Sequence, residues 1–204
     1  MKRDRLKIGV LASGRGSNLQ AIIDAIEKGD INAEIVVVIS DRSDAYALVR
    51  AQKHGIPHHH INPKAFRNKE EYELAVVERV KGYEVRLVVL AGYMRLVTKV
   101  LINAFNEDIM NIHPALLPSF RGLHAQRQTI EYGVRFSGCT VHFVTEEVDG
   151  GPVITQAVVP VYDNDTEETL SERILEKEHI IYPEAVKLFA EGRLKRMGRR
   201  VFIL

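Results

Sequence analysis

Two short segments hold polar side chains in patterns that suit chemistry. In Asn111-Ile112-His113-Pro114, Asn111 and His113 are two residues apart, so on an extended backbone both point to one side while Ile112 turns to the other. Pro114 restricts His113 to extended conformations, which favours one imidazole direction. Two donors can thus converge on one ligand atom, although a single loop histidine is more often an ordinary structural residue. The second segment is Asp149-Gly150-Gly151-Pro152. Asp-Gly is a hairpin signal, and turn formation alone accounts for it. A carboxylate brought near His113, however, favours the imidazolium and turns a passive ring into a charged acid.

A different chemistry is offered by Gly14-Arg15-Gly16-Ser17-Asn18. Glycines let backbone N–H groups approach a ligand closely, and a helix N-terminus adds about half a positive charge, so such a turn can hold a phosphate. Ser17 and Asn18 also suit helix capping, a role that needs no ligand. Leu19 stands where a dinucleotide fingerprint has its third glycine, and the GxxxxGK[ST] pattern is absent from this turn, so neither cofactor class is indicated. Gly92-Tyr93-Met94-Arg95-Leu96 suits a pocket with an apolar wall and one cation, although Met94 and Leu96 equally suit a core. His58, His59 and His60 alternate in direction and have no companion set of Asp, Glu or Cys ligands, so no shared metal is expected. Cys139 reads as a small buried hydrophobe, and the basic stretch 193–200 as a solvated tail rather than a nucleic-acid patch.

The elements that must position these residues alternate from the start. Residues 6–12 (LKIGVLA), 34–40 (EIVVVIS) and 85–91 (VRLVVLA) read as strands. Between them, residues 18–28 and 44–54 read as helices, the latter closed by Gly55. An extended piece follows at 57–61, and a helix at 69–81 places Tyr72, Leu74, Ala75, Val76 and Val80 near one face. Nearly continuous apolar runs suit parallel strands covered on both faces. In the second half, a helix near 98–105 precedes a strand at 108–112 and a proline-rich loop at 114–122. Strands at 138–144 and 153–161 flank EEVDGGP and suggest antiparallel pairing. Helices at 166–181 and 184–190 are separated by Pro183, expected to break or kink the run.

The expected fold is α/β: a single-domain open twisted sheet with a parallel, Rossmann-like first half and an antiparallel addition in the second. Its expected parts are a phosphate-binding half (6–105), a catalytic half (106–194) and a basic tail (195–204). A chain of 204 residues buries roughly 70% of its unfolded surface, enough for a core without staples. One cysteine allows no internal disulfide and fits a reducing compartment. The basic start has only a short apolar run, so neither a signal peptide nor a membrane span is expected, and the location expected is cytoplasmic. A formal net charge of +1 offers no general attraction to nucleic acid or membrane.

In order, SGRGSNLQAI, LAGYMR, NIHPALLP and VHFVTEEVDGGPVI closely resemble the motifs of the folate-dependent phosphoribosylglycinamide formyltransferase family (glycinamide ribonucleotide transformylases). The resemblance runs from about residue 8 to 194. It implies transfer of a formyl group from 10-formyltetrahydrofolate to the amino group of 5-phosphoribosylglycinamide in purine synthesis, with no metal, by a monomer or weak homodimer acting on small molecules. It further implies that Asn111 and His113 stabilise the oxyanion, while Asp149 holds or raises the protonation of His113 and relays a proton. Gly16, Ser17, Asn18 and Glu178 would bind the ribonucleotide. Lys69, Met94, Arg95, Leu96 and Val97, with Asn111, Val148 and Asp149, would line the folate pocket. One position departs from the family: Leu175 stands where Lys or Gln often reaches the phosphate, leaving the first loop, Lys177 or Arg173 to compensate. Among relatives, formyltetrahydrofolate deformylase and methionyl-tRNA formyltransferase normally carry additional domains, for which no room is expected here.

Overall fold

The structure is a computed structural model describing residues 4–106 and 108–204. The basic residues 1–3, on which part of the leader reading rests, lie outside the described residues. The chain forms two compact units that divide between Met110 and Asn111.

The first unit contains β1 (Leu6–Leu11), α1 (Ser17–Glu27), β2 (Ala33–Ser40), α2 (Tyr46–Lys53), β3 (His58–His60), a 3-10 turn (Pro63–Ala65), α3 (Lys69–Lys81), β4 (Leu87–Leu90) and α4 (Lys99–Ala104). Its strands run β3-β2-β1-β4, and the recorded pairs are all parallel. Ile8, Val10, Val38, Val88 and Val89 are wholly buried, as continuous apolar runs require in a sheet covered on both faces. The loops after β1, β2 and β4 therefore leave from the carboxyl edge, where open α/β sheets bind ligands.

The expected face of α3 holds at Tyr72, Val76 and Val80, but Leu74 is exposed and Glu73 is buried instead. Glu73 accepts the N–H groups of Thr98 at 2.8 Å and Leu101 at 3.4 Å, and the Thr98 hydroxyl as well. A carboxylate at the start of α4 satisfies amides that have no partner within the helix. That reward outweighs the burial of a charge, a balance hydrophobic spacing does not record.

The second unit takes in the end of β5 (Ile109–His113), followed by α5 (Ala125–Tyr132), β6 (Phe136–Phe143), β7 (Val153–Pro160), α6 (Glu167–Ala190), β8 (Leu194–Met197) and β9 (Arg200–Ile203). Strand order here is β5-β6-β7-β9-β8, with β6 antiparallel to β7, and a register shift at Val141/His142. The division thus falls inside β5, later than the boundary expected at 105/106. Three further expectations are corrected. The stretch 195–204 is not a loose tail, because β8 and β9 form an antiparallel hairpin joined to β7 through Val153 and Arg200. α5 was not expected: only Ala125 and Thr129 of its eight residues are buried, so its apolar periodicity is faint. Finally, α6 runs unbroken through Pro183. Proline in a helix interior costs about 3 kcal/mol, but Ile181 and Tyr182 before it and Ala185, Val186 and Leu188 after it are all buried.

The start of α6 is fixed by a cluster around Asp165. Its carboxylate takes Arg173 Nη1 at 2.7 Å and Nη2 at 2.8 Å, the Tyr162 N–H at 2.7 Å and the Thr169 hydroxyl at 2.8 Å. Arg173 also donates to the Pro160 carbonyl and lies over the Tyr162 ring. The Arg173 hydrogen bonds lead in holding the Asp165 carboxyl far below the usual range. Such a group stabilises the fold above its unfolded pKa of about 3.9, and the contribution is lost as pH falls toward the lower folded value. Asp165→Asn is expected to lower stability by about 1–3 kcal/mol at pH 7. In urea unfolding its difference from wild type should shrink below about pH 4; a pH-independent difference would contradict the ionic origin.

Candidate active site

In the second unit the three residues singled out for catalysis come together. His113 Nδ1 lies 3.2 Å from Asp149 Oδ2, both side chains about nine-tenths buried. Asp149 adopts the left-handed region (φ 48°), which Asp tolerates better than most residues. That turn brings its carboxylate inward, where Oδ2 also accepts the Gly122 N–H at 2.8 Å. The glycines that follow are dictated by crowding: a Cβ on Gly151 would sit 1.7 Å from the Phe143 carbonyl oxygen. Opposite it, the Phe143 N–H bonds the Pro152 carbonyl at 2.9 Å. EEVDGGP is therefore more than a turn, because its backbone aims one carboxylate.

A fourth residue, His142, was missed by the sequence reading. It is buried on β6 beside the register shift. Its Nδ1–H donates to the Phe143 carbonyl at 2.9 Å, leaving Nε2 to accept from Asn111 Nδ2 at 3.2 Å. This orients the Asn111 amide and leaves its second hydrogen for a ligand oxygen. His142 Nε2 also stands 3.6 Å from Asp149 Oδ1. The available signal was a histidine inside the apolar run VHFV, which reads equally as a satisfied core residue.

His113 Nε2 donates to the Phe120 carbonyl at 2.8 Å. With Nε2 protonated, Nδ1 is the atom that faces the carboxylate at 3.2 Å, so a proton taken up by the ring sits at Nδ1 beside Asp149. Burial is the largest influence on His113 and lowers its pKa. Asp149 and the Phe120 carbonyl act upward, as expected of Asp149, yet burial outweighs them and the net direction is a lowering. For Asp149, burial acts upward but is outweighed by its hydrogen-bonding and cationic neighbours, and the carboxyl lies below its ordinary value. Among those neighbours, His113 and the Gly122 amide are the closer contacts, since 3.6 Å to His142 is too long for a full hydrogen bond.

The first unit holds the candidate phosphate turn. Gly16, not Ser17 or Asn18, is the cap residue of α1, with no side-chain capping bond and no acid in the first turn. The reading of Ser17 and Asn18 as caps therefore gives way, and the positive helix end carries no built-in counter-charge. Gly16 is required on two counts: its φ is 68°, and a Cβ would lie 2.8 Å from Cα and Cβ of Ala47.

The segment after β4 is tied to the same region. Ser13 donates its N–H to the Gly92 carbonyl at 3.1 Å, and its Oγ accepts the Met94 N–H at 2.9 Å. A cleft of about 610 Å³ opens there, lined by Ser13, Gly14, Asp41, Gly92 and Met94 among others. Met94 and Leu96 are 70% and 60% exposed, so they are not core residues. Arg95 lies over the Tyr72 ring and 3.9 Å from Asp41, which partly neutralises it. Val97 is half-buried, and Lys69 is the first residue of α3.

In the second unit, Val148 is 44% exposed on the Asp149 loop and Glu178 is buried on α6. Arg173 is committed to Asp165, which leaves Lys177, exposed on α6, as the other cation considered for the phosphate. Cys139 is buried, its thiol pushed up to about 12 chiefly by burial. His58 and His60 are exposed while His59 contacts the Tyr83 hydroxyl at 2.8 Å. Among the described residues no group of three or more His, Cys, Asp or Glu is placed to hold a metal ion.

An α/β sheet with open carboxyl-edge loops and a buried set of Asn111, His113 and Asp149 are features that suit an acid–base group-transfer enzyme. Residues 6–186 match the family described as Formyl transferase, and the chain belongs to that family. Within it, the chain is 44% identical over 190 residues to the phosphoribosylglycinamide formyltransferase of Escherichia coli (strain K12), covering 93% of this chain and 90% of that protein. It is 47% identical over 189 residues to that of Haemophilus influenzae, covering 93% and 89%. Among solved structures, glycinamide ribonucleotide transformylase 1 from Symbiobacterium toebii superposes with a TM-score of 0.98 at 55% identity, covering 100% of this chain and 96% of that one. A formyltetrahydrofolate deformylase from Pseudomonas syringae matches at 27% identity and a TM-score of 0.91, with only 66% of its chain covered.

The lowered His113 pKa has a measurable consequence. A histidine depressed in the fold is bound by protons more readily when unfolded, so stability rises with pH between its folded value and about 6.5. Urea midpoints of wild type should fall between about pH 6.5 and 5 more steeply than those of His113→Gln. Equal slopes would show that burial does not dominate at this ring.

Proposed function

We propose that the protein transfers the formyl group of 10-formyltetrahydrofolate to the amino group of 5-phosphoribosylglycinamide, a step of de novo purine synthesis. The observation that carries this reading is the buried His113–Asp149 contact beside an Asn111 amide oriented by His142, in a chain 44% identical to a phosphoribosylglycinamide formyltransferase over most of its length. The amine attacks the formyl carbon, and the carbonyl electron pair moves onto oxygen. As that pair returns, the bond from carbon to the folate nitrogen breaks, the nitrogen takes a proton and the former amine releases one.

In this reading Asn111 supplies the hydrogen bond to the oxyanion with its second amide hydrogen. His113 contributes differently from the direct donor expected, because Phe120 and Asp149 engage its two nitrogens. It stores positive charge beside the oxyanion and, with Asp149, passes the proton toward the leaving nitrogen, a general-acid role that suits a loosely held proton. Direct donation by Nε2 would require it to leave the Phe120 carbonyl. Gly16, Ser17 and Asn18 hold the acceptor's phosphate and Glu178 its sugar or glycinamide portion. Residues 94–97, with Lys69 and Val148, accommodate the folate.

Among the described residues no helix is long and apolar enough to cross a membrane. The reading places a monomer or weak homodimer in the cytoplasm, acting on small molecules.

With purified protein, 10-formyltetrahydrofolate and 5-phosphoribosylglycinamide should yield tetrahydrofolate and formylated acceptor. Folate turnover at the same rate without acceptor would favour the deformylase reaction instead. His113→Ala and Asp149→Ala should each lower kcat by about 100 to 1,000-fold with a folded circular-dichroism spectrum; near-wild-type turnover in either would overturn the assignment. Asn18→Ala should raise KM for the ribonucleotide more than for the folate, and the reverse order would misplace the phosphate.

A further inference from the structure

We infer that Arg50 and Gln20 are positioning residues that set the direction of the Gly16 peptide N–H, and through it the grip of the first loop on a phosphate. The inference rests on the reading above that residues 14–18 bind the phosphate of the acceptor. Three successive carbonyls of this loop are anchored: Gly14 O accepts the Ala47 N–H at 3.1 Å, Arg15 O accepts Arg50 Nε–H at 2.9 Å, and Gly16 O accepts the Gln20 N–H at 3.0 Å. In a planar trans peptide the N–H points opposite to the C=O. The Arg15 and Gly16 N–H groups therefore face away from α2, and the Ser17 N–H faces out of the start of α1. Three donors of one sign on one side form an anion-binding nest.

The three anchors are not equivalent. Those at Gly14 and Gly16 come from backbone amides, which most sequences would supply in this fold. Only the Arg15 carbonyl depends on a side chain. It lies between two glycines, and Gly16 is in the left-handed region (φ 68°), so little steric resistance opposes rotation of the Arg15–Gly16 peptide. A rotated peptide would present its carbonyl oxygen to the phosphate, replacing an attraction with a repulsion.

Arg50 is itself held in place. Its Nη1 donates to Gln20 Oε1 at 2.9 Å, and its guanidinium lies 5.0 Å from the centre of the Tyr46 ring. The Gln20 amide is oriented in turn, since Nε2 donates to Asp24 Oδ1 at 2.8 Å and to His54 Nε2 at 3.0 Å. His54 Nε2 is free to accept because Nδ1–H faces Glu27 Oε1 at 2.7 Å. Each donor from Glu27 back to Arg15 meets an acceptor, so the set fixes a direction as well as a distance. A guanidinium presents Nε and Nη1 to two acceptors at once, which an ammonium cannot reproduce. Arg50→Lys thereby separates geometry from charge.

The test compares kcat/KM for 5-phosphoribosylglycinamide with that for the unphosphorylated glycinamide riboside, the ratio of the two reporting the phosphate's contribution. Arg50→Ala is expected to reduce this ratio about tenfold, near the worth of one hydrogen bond to a charged group, and Arg50→Lys nearly as far. Arg50→Gln replaces the alanine variant if that fails to fold, and titration with ribose 5-phosphate gives a readout independent of turnover. A ratio kept by Arg50→Ala but lost in Asn18→Ala would overturn the role of Arg50 and leave the phosphate loop standing. A ratio restored by Arg50→Lys would assign the effect to charge and overturn the positioning role. A wild-type ratio near one, or one that Asn18→Ala does not change, would overturn the phosphate-loop reading itself.

Discussion

The second unit is organised around keeping the contact between the His113 ring and the Asp149 carboxylate out of water. Burying a charged pair costs more than its mutual attraction returns unless the remaining hydrogen-bond positions are filled. Here they are filled from the backbone: the Phe120 carbonyl accepts His113 Nε2–H and the Gly122 N–H donates to Asp149 Oδ2. Both partners lie in the loop after β5, and the carboxylate comes from the loop between β6 and β7. The requirement for Gly at 151, the left-handed backbone of Asp149 and the register shift at His142 all serve the same alignment. Because burial is the largest influence on His113 and lowers its pKa, a proton taken up at Nδ1 is readily released, which suits an acid–base group.

The first unit meets its ligand by another route. Its candidate phosphate turn has no acid in the first turn of α1 and no side-chain cap, so the attraction comes from peptide dipoles aimed by carbonyl anchors. Dipoles need no desolvation of a full charge and impose direction, the property a point charge lacks. In the proposed mechanism one unit thus supplies an acid–base group and the other a fixed field.

Much of this was legible in residue order. Continuous apolar runs identified the parallel strands of the first unit, and the glycines at 16 and 151 marked where backbone is closely approached. Asn111, His113 and Asp149 stood out by alternation and turn chemistry as candidates only, and it was the family resemblance that joined them as a set. What remained hidden shares a physical cause: a polar side chain doing backbone work. Glu73 caps α4 from within a helix face and Asp165 anchors α6, so polarity misreports their burial. His142 orients Asn111 from inside an apolar strand, where a histidine carries no distinctive pattern. Arg50 acts on a carbonyl 35 residues earlier, a relation only the fold creates. Pro183 misled in the opposite direction, since packing on both sides of it outweighs the missing hydrogen bond.

The central claim is that Asp149 faces the Nδ1 site of a buried His113 ring, where burial outweighs the pull of the carboxylate on the proton. Nitrogen-15 NMR of the His113 ring across pH, in wild type and Asp149→Asn, tests it most directly. The account predicts that Nε2 stays protonated throughout, that Nδ1 loses its proton below the ordinary histidine value of about 6.5, and that Asp149→Asn moves that loss lower still. A ring that titrates at or above the ordinary value, or one whose Nε2 is the nitrogen that deprotonates, would contradict it.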